Sequence, residues 1–173
     1  MFKSSFKEFF NTRNFVTMAM LCAMNVVLSW FSVRLTSTLK IGFSYLTMGL
    51  LGHWFGPVCA GLLGLVLDSV KWLIRPDGPY LILFGVTELL AGVIYGVMLY
   101  HQKVTLVRCF LTKFLINALL NVLLTPAWLT ILYGGSYWAY VAARIVKNLI
   151  LWPIESVILY FLLTRLDQAT KRA

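Results

Sequence analysis

Asp68, Lys71 and Arg75 follow one another at steps of three and four residues, a spacing that sets all three on one face of a helix. Arg144, Lys147 and Asn148 form a second set, with Glu155 seven residues beyond Asn148 on the same face. A third is the stripe Lys113, Asn117, Asn121, Thr125 and Trp128, which steps mostly by four, and Glu88 stands alone in a further apolar run. A carboxylate accepts from ring N–H groups, an amide supplies both a donor and an acceptor, and Arg or Lys pairs with acidic groups. These residues could therefore hold a polar, anionic organic molecule, although Asp68 with Lys71 also allows a plain ion pair.

The elements that carry them are apolar. Of 173 residues 60% are hydrophobic and 12% charged, and the mean hydropathy is +0.83. A soluble domain is nearer half apolar and a quarter charged, so the chain reads as one dissolved mainly in lipid. A spanning helix uses about 20 residues, so six would take roughly 120 and leave no room for a soluble catalytic domain. Gly, Pro and charged punctuation divides the chain into six apolar segments, near residues 14–33, 41–55, 58–75, 80–101, 106–132 and 138–164. The expectation is an all-α integral membrane protein, with residues 1–173 forming a single membrane domain of six transmembrane helices. The Gly52/Gly56, Gly61/Gly64 and Gly92/Gly96 pairs suit close helix contacts within that bundle.

With the N and C termini cytoplasmic, Lys3, Lys7, Arg13, Lys103, Arg108, Arg165, Lys171 and Arg172 lie inside, against Arg34, Lys40 and Arg75 outside. That distribution obeys the positive-inside rule. It turns the LTSTLK, RPDGPY and YGGSYW loops outward and the Gly56-Pro57 turn inward. The leading MFKSSFKEFFNTRN lacks a cleavage site and reads as a solvated or interfacial lead-in, and Cys22, Cys59 and Cys109 read as buried apolar residues.

Ionisable side chains cost at least about 2 to 3 kcal/mol each within the bilayer, so those retained usually face a cavity, a partner or a task. The proposed outer half and its loops hold Arg34, Lys40, Lys71, Arg75, Arg144 and Lys147 against Asp68, Asp77 and Glu88, an excess of three positive charges. Aromatic residues gather at the same level: Phe43, Tyr45, Trp72, Tyr80, Trp128, Tyr133, Tyr137, Trp138 and Tyr140. Singly each suits an interfacial belt. Together with the charges they point to an outward-facing pocket for a flat, polar anion.

The chain has no GxxxxGK[ST] loop, so an energy source must lie on another chain, and no GxSxG or HExxH motif, so no catalytic residue is assigned. His53 and His101 have no metal-ligand spacing, and neither a metal, a cofactor nor a nucleic-acid partner is expected.

Several stretches, taken in order, resemble a known family: Ala19-Met-Leu-Cys-Ala23, TSTLKIGFSYL at 36–46, FGPVCAGLLGLVLDSV at 55–70, RPDGPY at 75–80 and ARIVKNLILWPIES at 143–156. The family is that of the substrate-binding S components of energy-coupling factor (ECF) vitamin transporters, above all the folate-specific ones. The resemblance implies a multi-pass protein of a bacterial cell membrane with a vitamin site near the outer surface. It also implies partnership with a transmembrane coupling subunit, EcfT, and two ATP-binding cassette ATPases, which alone bind ATP and import the vitamin as the S component reorients in the bilayer. Ala19 and Ala23 would then face the coupling subunit. Folate, with a flat pterin, an aromatic linker and a dicarboxylate tail, complements the inferred pocket. In that reading Asp68, Asn148 and Asn121 take the pterin's polar edge. Arg34, Lys40, Arg144 and Lys147 hold carboxylates or fix the first loop, and Phe43, Trp72, Trp128 and Tyr133 contribute aromatic faces. Other vitamins of this class, such as pantothenate or riboflavin, carry fewer negative charges. A small membrane enzyme acting on anionic lipid headgroups, or a purely structural subunit, is the alternative outside the class.

Overall fold

Long apolar runs in lipid close their backbone hydrogen bonds internally, and the helix does so within one segment. The computed structural model describes residues 2–36, 39–76 and 81–170, and within these the side chains of 33–41 and 170 are left aside. In chain order the elements are α1 (Phe2–Glu8), α2 (Thr12–Trp30), β1 (Val33–Thr36), β2 (Leu39–Ile41), α3 (Ser44–Ile74), α4 (Ile82–Leu99) and α5 (Leu106–Leu115). A π-helical segment, Ile116–Leu124, continues α5 into α6 (Thr125–Tyr133), and α7 (Tyr137–Thr170) closes the chain. Four helical stretches are long and apolar enough to cross a membrane: Ser44–Ile74, Ile82–Leu99, Leu106–Tyr133 and Tyr137–Ala169. The chain is a multi-pass membrane protein with a helical architecture.

The first loop departs from an all-helical reading. β1 and β2 pair antiparallel, Val33 opposite Ile41 and Arg34 opposite Lys40. The β-branched and alternating residues after Trp30 favour extended backbone over another helical turn, so α2 ends three residues before the apolar segment drawn from hydropathy.

Helix α3 is two limbs. Gly56 has φ 84° and ψ −174°, a conformation that glycine reaches at little cost, and Pro57 follows it. A straight helix would separate residues 48 and 64 by about 24 Å. Instead, a Cβ placed on Gly64 would lie 3.0 Å from Met48 Cε. Because 48 and 64 are equidistant from 56, the limbs run back alongside each other. Ser5 of α1 is fully buried at this reversal, where its hydroxyl donates to Phe55 O at 2.6 Å and accepts from the backbone N–H of Val58 and Cys59 at 3.2 and 3.3 Å. Backbone groups displaced from the helical ladder are thereby satisfied by a side chain.

Helix α4 packs along the second limb with its backbone almost touching it. A Cβ on Gly92 or Gly96 would come within 2.3 Å of Ala60 O or of the Pro57 backbone. At the same end of α4, His53 binds Leu99 O through Nδ1 at 2.8 Å and Asp167 of α7 through Nε2 at 3.0 Å. Asn25 of α2, fully buried, donates to Ser44 O and Thr47 Oγ1 at the start of α3. Cys59 and Cys109 are buried and Cys22 half-buried, all as free thiols.

Candidate functional site

Folding α3 back on itself brings its two ends to one level: Ser44 at the start, and Asp68, Lys71, Trp72 and Arg75 at the finish. A cavity of about 420 Å³ opens there. Its other walls are Ser29 and Ser32 at the end of α2, Gly42, Leu81 before α4, Phe84, Thr87 and Glu88 on α4, Asn121, then Thr125, Leu129, Leu132 and Tyr133 on α6, and Arg144 and Lys147 on α7. Among these described residues are four cations and two carboxylates.

A second chamber of about 240 Å³ lies against the first and shares Gly42, Ser44, Thr87, Glu88, Asn121 and Lys147 with it. Tyr45, Met48, Ala91, Tyr95, Lys113, Ile116, Leu120, Asn148 and Glu155 complete its wall. On α4 the residues run from Phe84 in the first chamber through Glu88 in both to Tyr95 in the second, and on α7 from Arg144 through Lys147 to Glu155. The second chamber is therefore the deeper. At its floor Lys113 Nζ is 2.8 Å from Glu155 Oε2, 3.5 Å from Tyr95 Oη and 4.1 Å from the centre of the Tyr45 ring. Lys113 is 3% exposed, and a buried charge of this kind persists only with such partners.

The π-helical segment sets the polar stripe of the third wall. A four-residue step overshoots a full α-helical turn by about 40° but undershoots the wider π turn, so a run spanning both keeps its stripe straight. Asn121 Nδ2 donates to Asn117 Oδ1 at 2.9 Å, and Thr125 Oγ1 donates to the carbonyl of Leu120 at 2.7 Å.

Of the residues proposed from sequence, Asp68, Trp72, Asn121, Tyr133, Arg144 and Lys147 line the upper chamber, and Asn121, Lys147 and Asn148 the lower one. Asp68 and Asn148 thus line different chambers, joined at Asn121. Trp128 stands behind the wall, its indole N–H donating to Thr87 Oγ1 at 3.0 Å. Phe43 precedes α3 and is 41% exposed, away from both linings. The side chains of Arg34 and Lys40, like residues 77–80 with Asp77 and Tyr80, lie outside the described residues. Sequence reasoning noticed Glu88, Lys113 and Glu155 without placing them in the site. The signal was present, since Lys113 begins the Asn117/Asn121 stripe and Glu155 shares the face of Asn148. Tyr95, seven residues after Glu88, is found by the same rule, whereas Ser29, Ser32 and Ser44 have no such pattern.

Residues 13–163 match the family model for the substrate-specific component of ECF transporters. The chain belongs to this family. Among its relatives, "Folate transporter FolT" of Leuconostoc mesenteroides is 32% identical over 170 residues, covering 94% of this chain and 91% of that one. "Folate transporter FolT" of Clostridium novyi is 32% identical over 145 residues, with 84% of each covered. A solved structure, "Crystal structure of FolT bound with folic acid", superposes with a TM-score of 0.82 at 35% identity, over 88% of this chain and 93% of that one. As an ECF substrate-specific component, the chain is a transport subunit.

Proposed function

We propose that this ECF component binds folate at the outer face of a bacterial cell membrane and delivers it inward by reorienting with a coupling module. The observation that carries the ligand is the likeness to the folic-acid-bound FolT structure at 35% identity and a TM-score of 0.82. The cavity supports it chemically. Arg144 and Lys147, on the α7 wall, suit the two tail carboxylates, and Trp72 and Tyr133 suit stacking on the rings. Asn148 and Asn121 suit the polar edge of the pterin, and Asp68 on the upper wall belongs to the same proposed polar set. Arg34 and Lys40 of the first loop belong to the same proposed anion set.

In this reading the chain crosses the membrane six times, through α2, the two limbs of α3, α4, the α5–α6 rod and α7, with both termini cytoplasmic. The basic inner flanks support that orientation. ATP is bound only by two partner ATPases joined through EcfT, and the chain itself needs no cofactor or metal. Ala19 and Ala23 are exposed on one face of α2 beside Val16, Met20 and Val27, a surface open to a partner helix.

The test is titration of the purified, detergent-solubilised chain with folic acid, followed by tryptophan fluorescence, with riboflavin, thiamine and pantothenate as comparisons. Saturable submicromolar binding of folic acid alone is expected. No response from folded protein, or a response only to another vitamin, would overturn the ligand. Asp68→Asn and the pair Arg144→Gln/Lys147→Gln should each weaken folic acid at least about tenfold, the scale of a lost charged hydrogen bond.

A further inference from the structure

The floor of the deep chamber is more elaborate than helix packing requires. Lys113 on α5 and Glu155 on α7 meet at 2.8 Å, and Tyr45 of α3 and Tyr95 of α4 enclose the ammonium. Four elements thus converge on one charge pair. An apolar pair of similar volume would join the same helices without the desolvation cost of two ions. Both charged residues also line the cavity, and the Glu155 side chain keeps 16% exposure.

The lysine engages Oε2 of Glu155, and among the described residues it is the carboxylate's ion-pair partner. A carboxylate has about four acceptor positions on two oxygens, so this contact leaves acceptor capacity toward the chamber. Asn148 lines the same chamber. It is 8% exposed, and its Nδ2 has no hydrogen-bond partner. Asn148 and Glu155 stand two turns apart on one face of α7, about 10 Å along the helix, so an unused donor and an acceptor are offered to the same chamber.

We infer that Glu155 is a specificity-determining residue of the binding site, accepting from the N–H groups of the bound heterocycle while Asn148 donates to it, and that Lys113 is the positioning residue that orients Glu155. The inference rests on the folate reading and deepens it. It adds a floor carboxylate, in the same chamber as Asn148, to the Asp68 that lines the upper chamber. A ligand whose buried end lacks ring N–H donors would leave the carboxylate unanswered, and sites built around such hydrogen bonds discriminate strongly against the analogue that lacks them.

Wild-type protein, Glu155→Gln, the neutral double variant Lys113→Met/Glu155→Gln and the exchanged pair Lys113→Glu/Glu155→Lys are each purified, and their melting temperature and folic acid affinity are measured. The single variant strands a buried lysine and can lose stability. The neutral double variant avoids this, and the exchanged pair restores an ion pair between the same helices. The expected result is a melting temperature near that of wild type for both doubles, with folic acid weakened at least about tenfold in all three variants. Wild-type affinity in either double variant would show that the pair only ties helices and would overturn the inference. A wild-type chain that binds no folic acid would instead overturn the folate reading, so the two failures are distinguishable.

Discussion

Trp72 and Trp128 look alike in the sequence, two tryptophans on polar-bearing helices, yet the structure places them differently. Trp72 lines the upper chamber. Trp128 uses its N–H to reach Thr87 Oγ1 at 3.0 Å, and it is Thr87 that faces both chambers. Removing an aromatic that stacks on a base costs about 1–3 kcal/mol, whereas losing one neutral hydrogen bond costs about 1 kcal/mol of fold stability. Trp72→Ala should therefore weaken folic acid roughly tenfold or more. Trp128→Phe should lower the melting temperature while changing the dissociation constant less than about threefold. Calorimetric titration and thermal unfolding of the two variants check the order, and a larger binding loss at Trp128 would mean that its ring reaches the ligand. The floor pair teaches the same lesson, because a residue type states what chemistry is available and only its neighbours say where that chemistry is directed.

At the scale of elements the glycines separate two physical causes. Gly92 sits where α4 presses on the second limb of α3, and a Cβ there would fall 2.3 Å from Ala60 O and 2.7 Å from Gly61 N, backbone atoms that have no way to yield. Gly134, between α6 and α7, has open space around it and a φ of +70°. Gly92→Ala should cost about 2 kcal/mol or more through overpacking, and Gly134→Ala about 1 kcal/mol through backbone strain alone. Denaturant unfolding in detergent tests the contrast, and equal losses would remove the packing explanation. Much of this architecture is legible in the sequence because its signals are strong: apolar runs of spanning length, and Gly56-Pro57 as a place where a helix must break. The stripe at steps of four is legible as a shared face, but the π-helical turn that straightens it depends on the carbonyl to which the Thr125 backbone N–H donates, Leu120, which no periodicity records. Nor does the sequence announce that Ser5 seals the α3 reversal, since one of two adjacent serines in a seven-residue helix carries no pattern and acts across fifty positions. The β-ribbon of the first loop is hidden for a similar reason, three or four residues per strand being too few for an alternation to stand out.

Taken as one object, the molecule separates its two proposed tasks in space. Polar residues gather in chambers enclosed by α3, α4, the α5–α6 rod and α7, while α2 keeps a face of small and apolar side chains turned outward. Ala19 and Ala23 stand on that face with Val16 at 53%, Met20 at 69% and Val27 at 56% exposure, and neither alanine lines a chamber. Two alanines four residues apart let a second helix approach to backbone distance, and larger side chains there hold it off. If that helix belongs to the coupling subunit, binding and transport are separable by substitution. Ala19→Leu/Ala23→Leu should leave folic acid affinity within about twofold of wild type, because the chambers are untouched, and should change stability by less than about 0.5 kcal/mol, because both positions are exposed. Folate uptake by cells that supply the coupling subunit and ATPases should fall at least about tenfold, with less of the variant recovered in the assembled complex. Uptake at the wild-type level would remove these alanines from the interface, and a loss of uptake matched by an equal loss of binding would show that α2 shapes the cavity instead of meeting the partner.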